Sequence, residues 1–429
     1  MASNFIRCLG LTIVSESKLQ MRLIIFTNHF YPESFRVNDI AFDRAQRGDQ
    51  VTVLTGIPDY PEGHFHKGYS FYKKRVEHVN GVKVVHVPII PRGDGGKIRM
   101  MLNYASSIFF FFFYGWYQAL FHKYDAVFVH DTSPAFISLP AVTVSKFQKI
   151  PLYHWILDMW PESLTAGGIQ GGKVYDYILK MMKGIYKRDT EILITSHGFK
   201  SLLLERGVQE EKITYLPNWN DDALTKSEVE GLKADGNLPK LPNGFIIMFA
   251  GNLGFAQNME NLLAAANELK DEKDIHWVFV GDGRKKPWMD EYVKEHQLED
   301  TVHLLGRYPI ETMGAFFKKA DVMLVALNDV LIFNLTLPAK VQAYMAAGKP
   351  ILAGLCGEGA DIIKDANCGW SVPSNEYKGL ATLVSKIAKL DKQELEILGN
   401  NAKSYYEQNF TREKCMTILD ETFKKHVRG

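Results

Sequence analysis

The chain has 429 residues, too many for one ordinary core, so two domains of roughly 200 residues each are the first expectation. A net charge of +1 argues against a nucleic-acid binder, and 46% apolar with 23% charged residues is the balance of a soluble globular protein. Four scattered cysteines, Cys8, Cys356, Cys368 and Cys415, form no CxxC pair and no metal-ligand spacing, as expected of reduced thiols in the cytosol.

In residues 1–20, Arg7 is followed by a short apolar run over 8–14, but no small-residue cleavage site comes after it. This stretch reads as an N-terminal extension outside the fold. From Arg22 onward, short β-rich runs alternate with amphipathic helical stretches. Strands are expected at 23–27, 51–55, 82–88, 125–130, 152–158, 191–195 and 213–216, with a helix over 37–47 closed by Gly48. The segment 221–244 is polar and broken by Gly231, Gly236, Pro239 and Pro242, the composition of a linker. The rhythm then restarts, with strands at 245–250, 277–280, 302–305, 322–327 and 351–353 and helices over 258–269 and 287–296. Residues 379–425 are helical by pattern. The whole reads as α/β: two Rossmann-like, doubly wound parallel-sheet domains, 21–220 and 245–405, followed by a C-terminal helix over 406–429. Ligands of such sheets sit at the carboxyl ends of the strands.

One stretch departs from this rhythm. Residues 100–121 include five consecutive phenylalanines, 109–113, then Tyr114, Trp116 and Tyr117. It is almost long enough to cross a bilayer, but Asn103, Ser106, Ser107 and Gln118 interrupt it, and a span would split one sheet between two compartments. A core helix and an interfacial helix remain. The latter would dip its aromatic face into a membrane, with Lys97, Arg99 and Lys123 near anionic headgroups.

Towards the end of the second half, a buried strand (320–327) is followed by Leu335-Thr336-Leu337-Pro338-Ala339-Lys340, and the helix this opens is stopped by Gly348. Strand, loop and helix start aim backbone N–H groups and the positive end of a helix dipole at an anion. Gly251-Asn252-Leu253-Gly254 is a second strand-to-helix turn whose glycines allow close approach to phosphate. Taken alone, either turn reads first as an ordinary connection. The chain holds no Asp-x-Asp, so no metal is expected, nor any other cofactor. No G-x-G-x-x-G follows a strand, which disfavours a dehydrogenase.

The run TLPAKVQAYMAAGKPIL (336–352) resembles the donor-binding segment of family 4 retaining glycosyltransferases. HFYPESFRVNDI, TGIPDYPEGHF, LDMWPESL, FAGNLGFAQNMENL, VGDGRKK and GRYPIETM also match in the expected order, and the likeness covers nearly the whole chain, from 30 to 373. The likeness is closest to the bacterial L-fucosamine-transferase-like branch of O-antigen and capsule biosynthesis. It implies a GT-B fold, two facing Rossmann-like domains with a cleft between them. It also implies a UDP-sugar donor and an undecaprenyl-diphosphate-linked glycan acceptor, met at the cytoplasmic face of the membrane. That setting favours the interfacial reading of 100–121.

Residue by residue, the donor contacts implied are Gly251, Asn252, Gly254, Gly283, Lys285, Pro338, Ala339, Gln342 and Glu358. Many relatives carry Arg and Lys where this chain has Asn252 and Gln257, so Arg284, Lys285, Lys286 and Lys340 are the replacement cations, with Arg284 and Lys340 expected to serve the reaction. Family 4 members often carry a Glu-x7-Glu pair whose second Glu holds the ribose, a pair the L-fucosamine-transferase-like branch lacks; Leu335 and Ala343 stand there, leaving Gln342 or Glu358 for that task. Asp158 is expected to orient or deprotonate the acceptor, with Glu162 open between that site and a helix cap. Glu33 and Arg36 are expected acceptor contacts. His130, His154 and His197 lie near strand ends and receive no role. Two rivals share these features, a UDP-sugar 2-epimerase and a non-catalytic sugar-nucleotide-binding partner.

Overall fold

The structure, a computed structural model, describes residues 20–93, 96–169, 171–220 and 238–426. The expected extension up to residue 19, and most of the expected linker, 221–237, lie outside the described residues. Backbone contacts divide the chain into two compact units, residues 1–154 with 426–429, and residues 155–425.

In the first unit the strands are β1 (Arg22–Thr27), β2 (Gln50–Gly56), β3 (Val76–Val79), β4 (Val82–Val87) and β5 (Ala126–Asp131), ordered β3-β4-β2-β1-β5; β6 (Leu152–Ile156) begins here. β1 is central, with Leu23 in register with Val51 on one side and Ala126 on the other. Its residues Leu23 to Phe26 are wholly buried, as expected of a parallel strand covered on both faces. The helices are α1 (Arg36–Gln46), α2 (Lys97–Phe121) and α3 (Ser138–Gln148). The sheet is mixed rather than parallel throughout: β3 pairs antiparallel with β4 through the Asn80-Gly81 turn. The sequence reading missed β3 because Val76-Glu77-His78-Val79 is a polar, half-exposed edge without a long apolar run.

Helix α2 is amphipathic in an inverted sense. The polar residues that interrupt its apolar run face inward: Asn103 Nδ2 donates to the Ile90 carbonyl (2.6 Å), Ser106 Oγ accepts from the Ile90 N–H (2.9 Å), and Gln118 Oε1 accepts from the Tyr124 hydroxyl (2.7 Å). Outward, Met101, Phe109, Phe113, Trp116, Leu120 and Phe121 are exposed. Among the described residues no helix is long and apolar enough to cross a membrane.

The second unit contains the end of β6, the parallel pair β7 (Glu191–Ile194) and β8 (Ile213–Tyr215), and a six-stranded parallel sheet. That sheet comprises β9 (Phe245–Ala250), β10 (Ile275–Val280), β11 (Val302–Gly306), β12 (Val322–Ala326), β13 (Ile351–Gly354) and β14 (Gly369–Val372), ordered β11-β10-β9-β12-β13-β14. Its two faces carry separate cores, one around Met248, Val325 and Tyr344, the other around Phe249, Trp277 and Val384. The helices are α4 (Lys173–Tyr186), α5 (Gly198–Glu205), α6 (Met259–Glu268), α7 (Lys286–Glu295), α8 (Met313–Lys319), α9 (Leu331–Asn334), α10 (Ala339–Ala346), α11 (Glu358–Asp365), α12 (Tyr377–Ile387), α13 (Lys392–Asn409) and α14 (Arg412–His426). Pro338 is the N-cap of α10 at φ −66°, and Gly348 ends that helix region at φ +65°, as its sequence anticipated. The short β14 and the single turn α9 were not anticipated.

Candidate functional site

In the second unit, β9 delivers Gly251 and β12 leads through α9 to the start of α10. A Cβ built on Gly251 would meet Lys340 Cε at 2.9 Å and Nζ at 3.0 Å, and its φ is +131°. That backbone favours glycine, and the space beside it is filled by the flexible end of the Lys340 side chain. The Lys340 ammonium therefore lies against Gly251, 5.0 Å from the centroid of the buried Phe249 ring. Among the described residues it makes no hydrogen bond or ion pair, and burial lowers its pKa from 10.5 to about 8. The N-terminus of α10 has no side-chain cap, so its first N–H groups, at Ala339 and Lys340, remain for a ligand. Pro338 offers none.

The neighbouring loop is tied to this corner by its backbone. Leu253 N–H donates to Asp282 O (2.9 Å) and Lys285 N–H to Leu253 O (2.9 Å), which sets Asn252 and Gly283 side by side. Gly254 N–H is taken by Gln257 Oε1 (3.1 Å) and Gly283 N–H by Asp282 Oδ1 (2.8 Å). Of the three cations after Gly283, Lys285 pairs with Glu260 and lies over the Phe255 and Trp288 rings, while Lys286 pairs with Asp290. Arg284 is exposed and carries no such contact among the described residues. Arg284 and Lys340 are thus the two uncommitted cations of the group.

Gln342 is buried, and its Nε2 donates to the Asn218 carbonyl (2.6 Å), which engages the side chain away from solvent. Glu358 is half-buried at the first position of α11. Its two carboxylate oxygens accept from His197 N–H (2.9 Å) and Gly198 N–H (3.0 Å) at the start of α5. Ser196 Oγ donates to Leu335 O (2.5 Å), and a Cβ on Gly198 would meet that oxygen at 2.6 Å. The β7–α5 turn is therefore seated on the loop that precedes Lys340. Sequence reading missed this seat because its partners lie more than 130 residues apart. A carboxylate has about four lone-pair positions, so Glu358 keeps acceptor capacity after both amides are counted.

Asp158 follows β6 and is half-buried. Glu162, four residues on, is committed elsewhere: it pairs with Arg206 in a nearly dry environment and accepts from Tyr175. Both of its carboxylate oxygens are thus engaged by protein groups. The 3₁₀ turn containing Glu162 packs against α9.

In the first unit, Glu33 is buried, and its carboxylate accepts from Asp59 N–H (2.8 Å), Tyr60 N–H (2.7 Å) and His29 Nδ1 (2.7 Å). Arg92 Nη2 donates to His29 Nε2 (2.6 Å), so the His29 proton resides on Nδ1 and points at Glu33. Arg92 N–H donates to Asp59 Oδ2 (3.0 Å). His29, Glu33 and Asp59 are close enough to share a metal ion, yet Glu33 and His29 already spend their ligand atoms on protein groups. Arg36 is half-buried at the start of α1. His130 is fully buried beside Thr27 Oγ1 (2.9 Å), and burial, then His29, pushes its pKa down to about 3. His154 is equally buried against Asp131 (2.9 Å), and the His197 ring stacks on Tyr215 at 3.8 Å.

Two family models match this chain: "Glycosyl transferase 4-like domain" over residues 35–219 and "Glycosyl transferases group 1" over residues 233–405. The chain belongs to the glycosyl transferases. Among its relatives, WbjE of Pseudomonas aeruginosa, named as a probable glycosyltransferase, is 30% identical over 273 residues, 60% of this chain and 65% of WbjE. The chain thus matches slightly less than two thirds of that relative's length. WcaI of Escherichia coli, a glycosyl transferase named for colanic acid biosynthesis, is 22% identical over 76% of this chain and 82% of its own. The crystal structure of Anabaena HepE with UDP and glucose superimposes with a TM-score of 0.65 at 15% identity, covering 94% of this chain and 100% of that one. At that identity the likeness establishes the fold, and the fold of this glycosyl transferase is GT-B.

Proposed function

We propose that this chain is a retaining, metal-independent glycosyltransferase that moves a sugar from a UDP-sugar to a lipid-diphosphate-linked glycan in O-antigen or capsule biosynthesis. N-acetyl-L-fucosamine or a related deoxyhexosamine is the proposed sugar, carried over from the branch its motifs resemble. The observation that carries the reading is the unpaired Lys340 ammonium against Gly251, at the uncapped start of α10. A buried cation with no acid beside it is costly unless an anion completes it. The diphosphate supplies that anion, with Arg284 as the second cation, and no Asp-x-Asp is present to hold a metal. Both groups would stabilise the diphosphate as it leaves, and its oxygen would assist front-side attack by the acceptor. Asp158 is the proposed acceptor-orienting carboxylate. Glu358 is the proposed ribose contact, because Gln342 is engaged by Asn218 and Glu358 retains lone pairs. The expected division into 21–220 and 245–405 belongs to the same reading.

The protein is proposed to work as a peripheral protein on the cytoplasmic face of the membrane, with the outward aromatic face of α2 as its contact. Flotation with vesicles containing anionic lipid tests this. Replacing Phe109, Phe113 and Trp116 with Ser should abolish co-flotation, and unchanged co-flotation removes α2 from the reading. For the reaction, UDP-, GDP- and dTDP-sugars are offered with a lipid-diphosphate acceptor and products are read by mass. Transfer from a UDP-sugar is expected. An epimerised donor without transfer, or UDP binding with no turnover on any acceptor, overturns it.

A further inference from the structure

Away from the donor-side residues, the first unit contains an open cavity of about 930 Å³. Its walls come from the loop after β1 (Tyr31, Pro32), the long β2–β3 connection (62–69), and β3 with its turn into β4. Nothing in the proposed reaction uses it.

Its floor is a carboxylate held in a fixed orientation. Glu77 Oε1 accepts from the Tyr69 hydroxyl (2.9 Å) and meets His86 Nε2 (2.9 Å), while Oε2 lies 3.9 Å from Lys74 Nζ. His86 is wholly buried beneath it, and Lys74 lies 4.6 Å over the Tyr69 ring. One oxygen of Glu77 is thus taken up by the protein, and the other keeps acceptor capacity. Around this floor stand the exposed Tyr31 ring, Phe65 packed on Phe71 at 5.3 Å, and the carboxylate of Glu62.

The lining discriminates between classes of occupant. Two carboxylates are balanced by two lysines, Lys67 and Lys74, and no arginine is present, so the cavity has no surplus of positive charge for a phosphate. Polar groups are too many for a purely apolar ligand. Aromatic faces combined with carboxylate acceptors suit a neutral polyhydroxylated ring, whose C–H face can lie on Tyr31 while its hydroxyls reach Glu62 and Glu77. We propose that this cavity is a saccharide-binding site, which takes a sugar residue of the acceptor glycan away from the reacting hydroxyl. The acceptor part of the statement rests on the glycosyl-transfer reading; the saccharide part does not.

The test is saturation-transfer NMR on the full chain without nucleotide, using D-galactose, L-rhamnose and N-acetyl-D-glucosamine, with glycerol as control. At least one sugar should receive saturation and glycerol should not. Tyr31→Ala and the surface variant Glu62→Gln should each weaken that sugar by about tenfold, as loss of one ring contact or one charge-assisted hydrogen bond implies. Saturation of no sugar, or equal saturation in wild type and both variants, overturns the site. UDP affinity, measured separately by calorimetry, should not change in either variant. If UDP does not bind the wild-type chain, the transferase reading falls, and a sugar signal lost in Tyr31→Ala still establishes the saccharide site.

Discussion

At Lys340 a cation sits with no acid to answer it, whereas at Glu33 three donors converge on one buried carboxylate. Both groups were read from the sequence as ligand contacts; Glu33 lies in the loop after β1, and Lys340 in the first turn of α10. The difference shows how to tell a site from a strut. On the proposed reading, Glu33, with every carboxylate oxygen engaged by its own chain, is a strut, while Lys340, left incomplete at an energetic cost, is the ligand contact.

The sharpest way to break the comparison is to remove the strut. Glu33→Ala leaves Asp59 N–H, Tyr60 N–H and His29 without their acceptor, and should cost about 3 kcal/mol in urea unfolding. UDP affinity should be unchanged; a large loss of affinity would return Glu33 to the binding machinery. Next comes the waiting group. Lys340→Met should weaken UDP binding about thirtyfold, near 2 kcal/mol for a charge-assisted contact, with no loss of thermal stability. Equal affinity in calorimetry would remove the phosphate assignment.

A pH titration sharpens the same contrast. The Lys340 pKa is lowered by burial to about 8 from 10.5, so between those values the unfolded chain binds more protons than the folded one. Stability from this group therefore rises with pH across that window. UDP affinity moves oppositely, because the phosphate needs the ammonium: it should be about tenfold weaker at pH 9 than at pH 7, and flat over that range in Lys340→Met. The smallest effect concerns Glu358. Wild type should prefer UDP over 2′,3′-dideoxy-UDP by about fivefold, as one or two hydrogen bonds imply, and Glu358→Ala should bind both alike. A preference that survives the substitution would leave Glu358 as only the seat of the β7–α5 turn.

Much of the fold was legible because buried parallel strands are written as apolar runs, such as Phe245 to Ala250, and helix ends carry their own signals, as at Pro338 and Gly348. β3 and β14 were not, since each is a partly exposed edge strand that needs no such run. In the site, Gly251 and Lys340 could be nominated from local pattern, because a glycine after a strand and a helix start each have a local reason. What Glu33, Glu162, Gln342 and Glu358 touch could not be read, because their partners lie 26, 44, 124 and about 160 residues away. Side-chain type nominates candidates, and only folding reveals which have already been spent.

Helix α2 leaves from the carboxyl end of β4 and returns the chain to the amino end of β5, so it runs back along the strands for 25 residues, about 37 Å. Laid flat on a bilayer, it would hold those strands level with the headgroups. Their carboxyl ends would then open sideways along the surface. The proposed lipid-diphosphate-linked acceptor would then slide in by lateral diffusion without having to rise out of the leaflet.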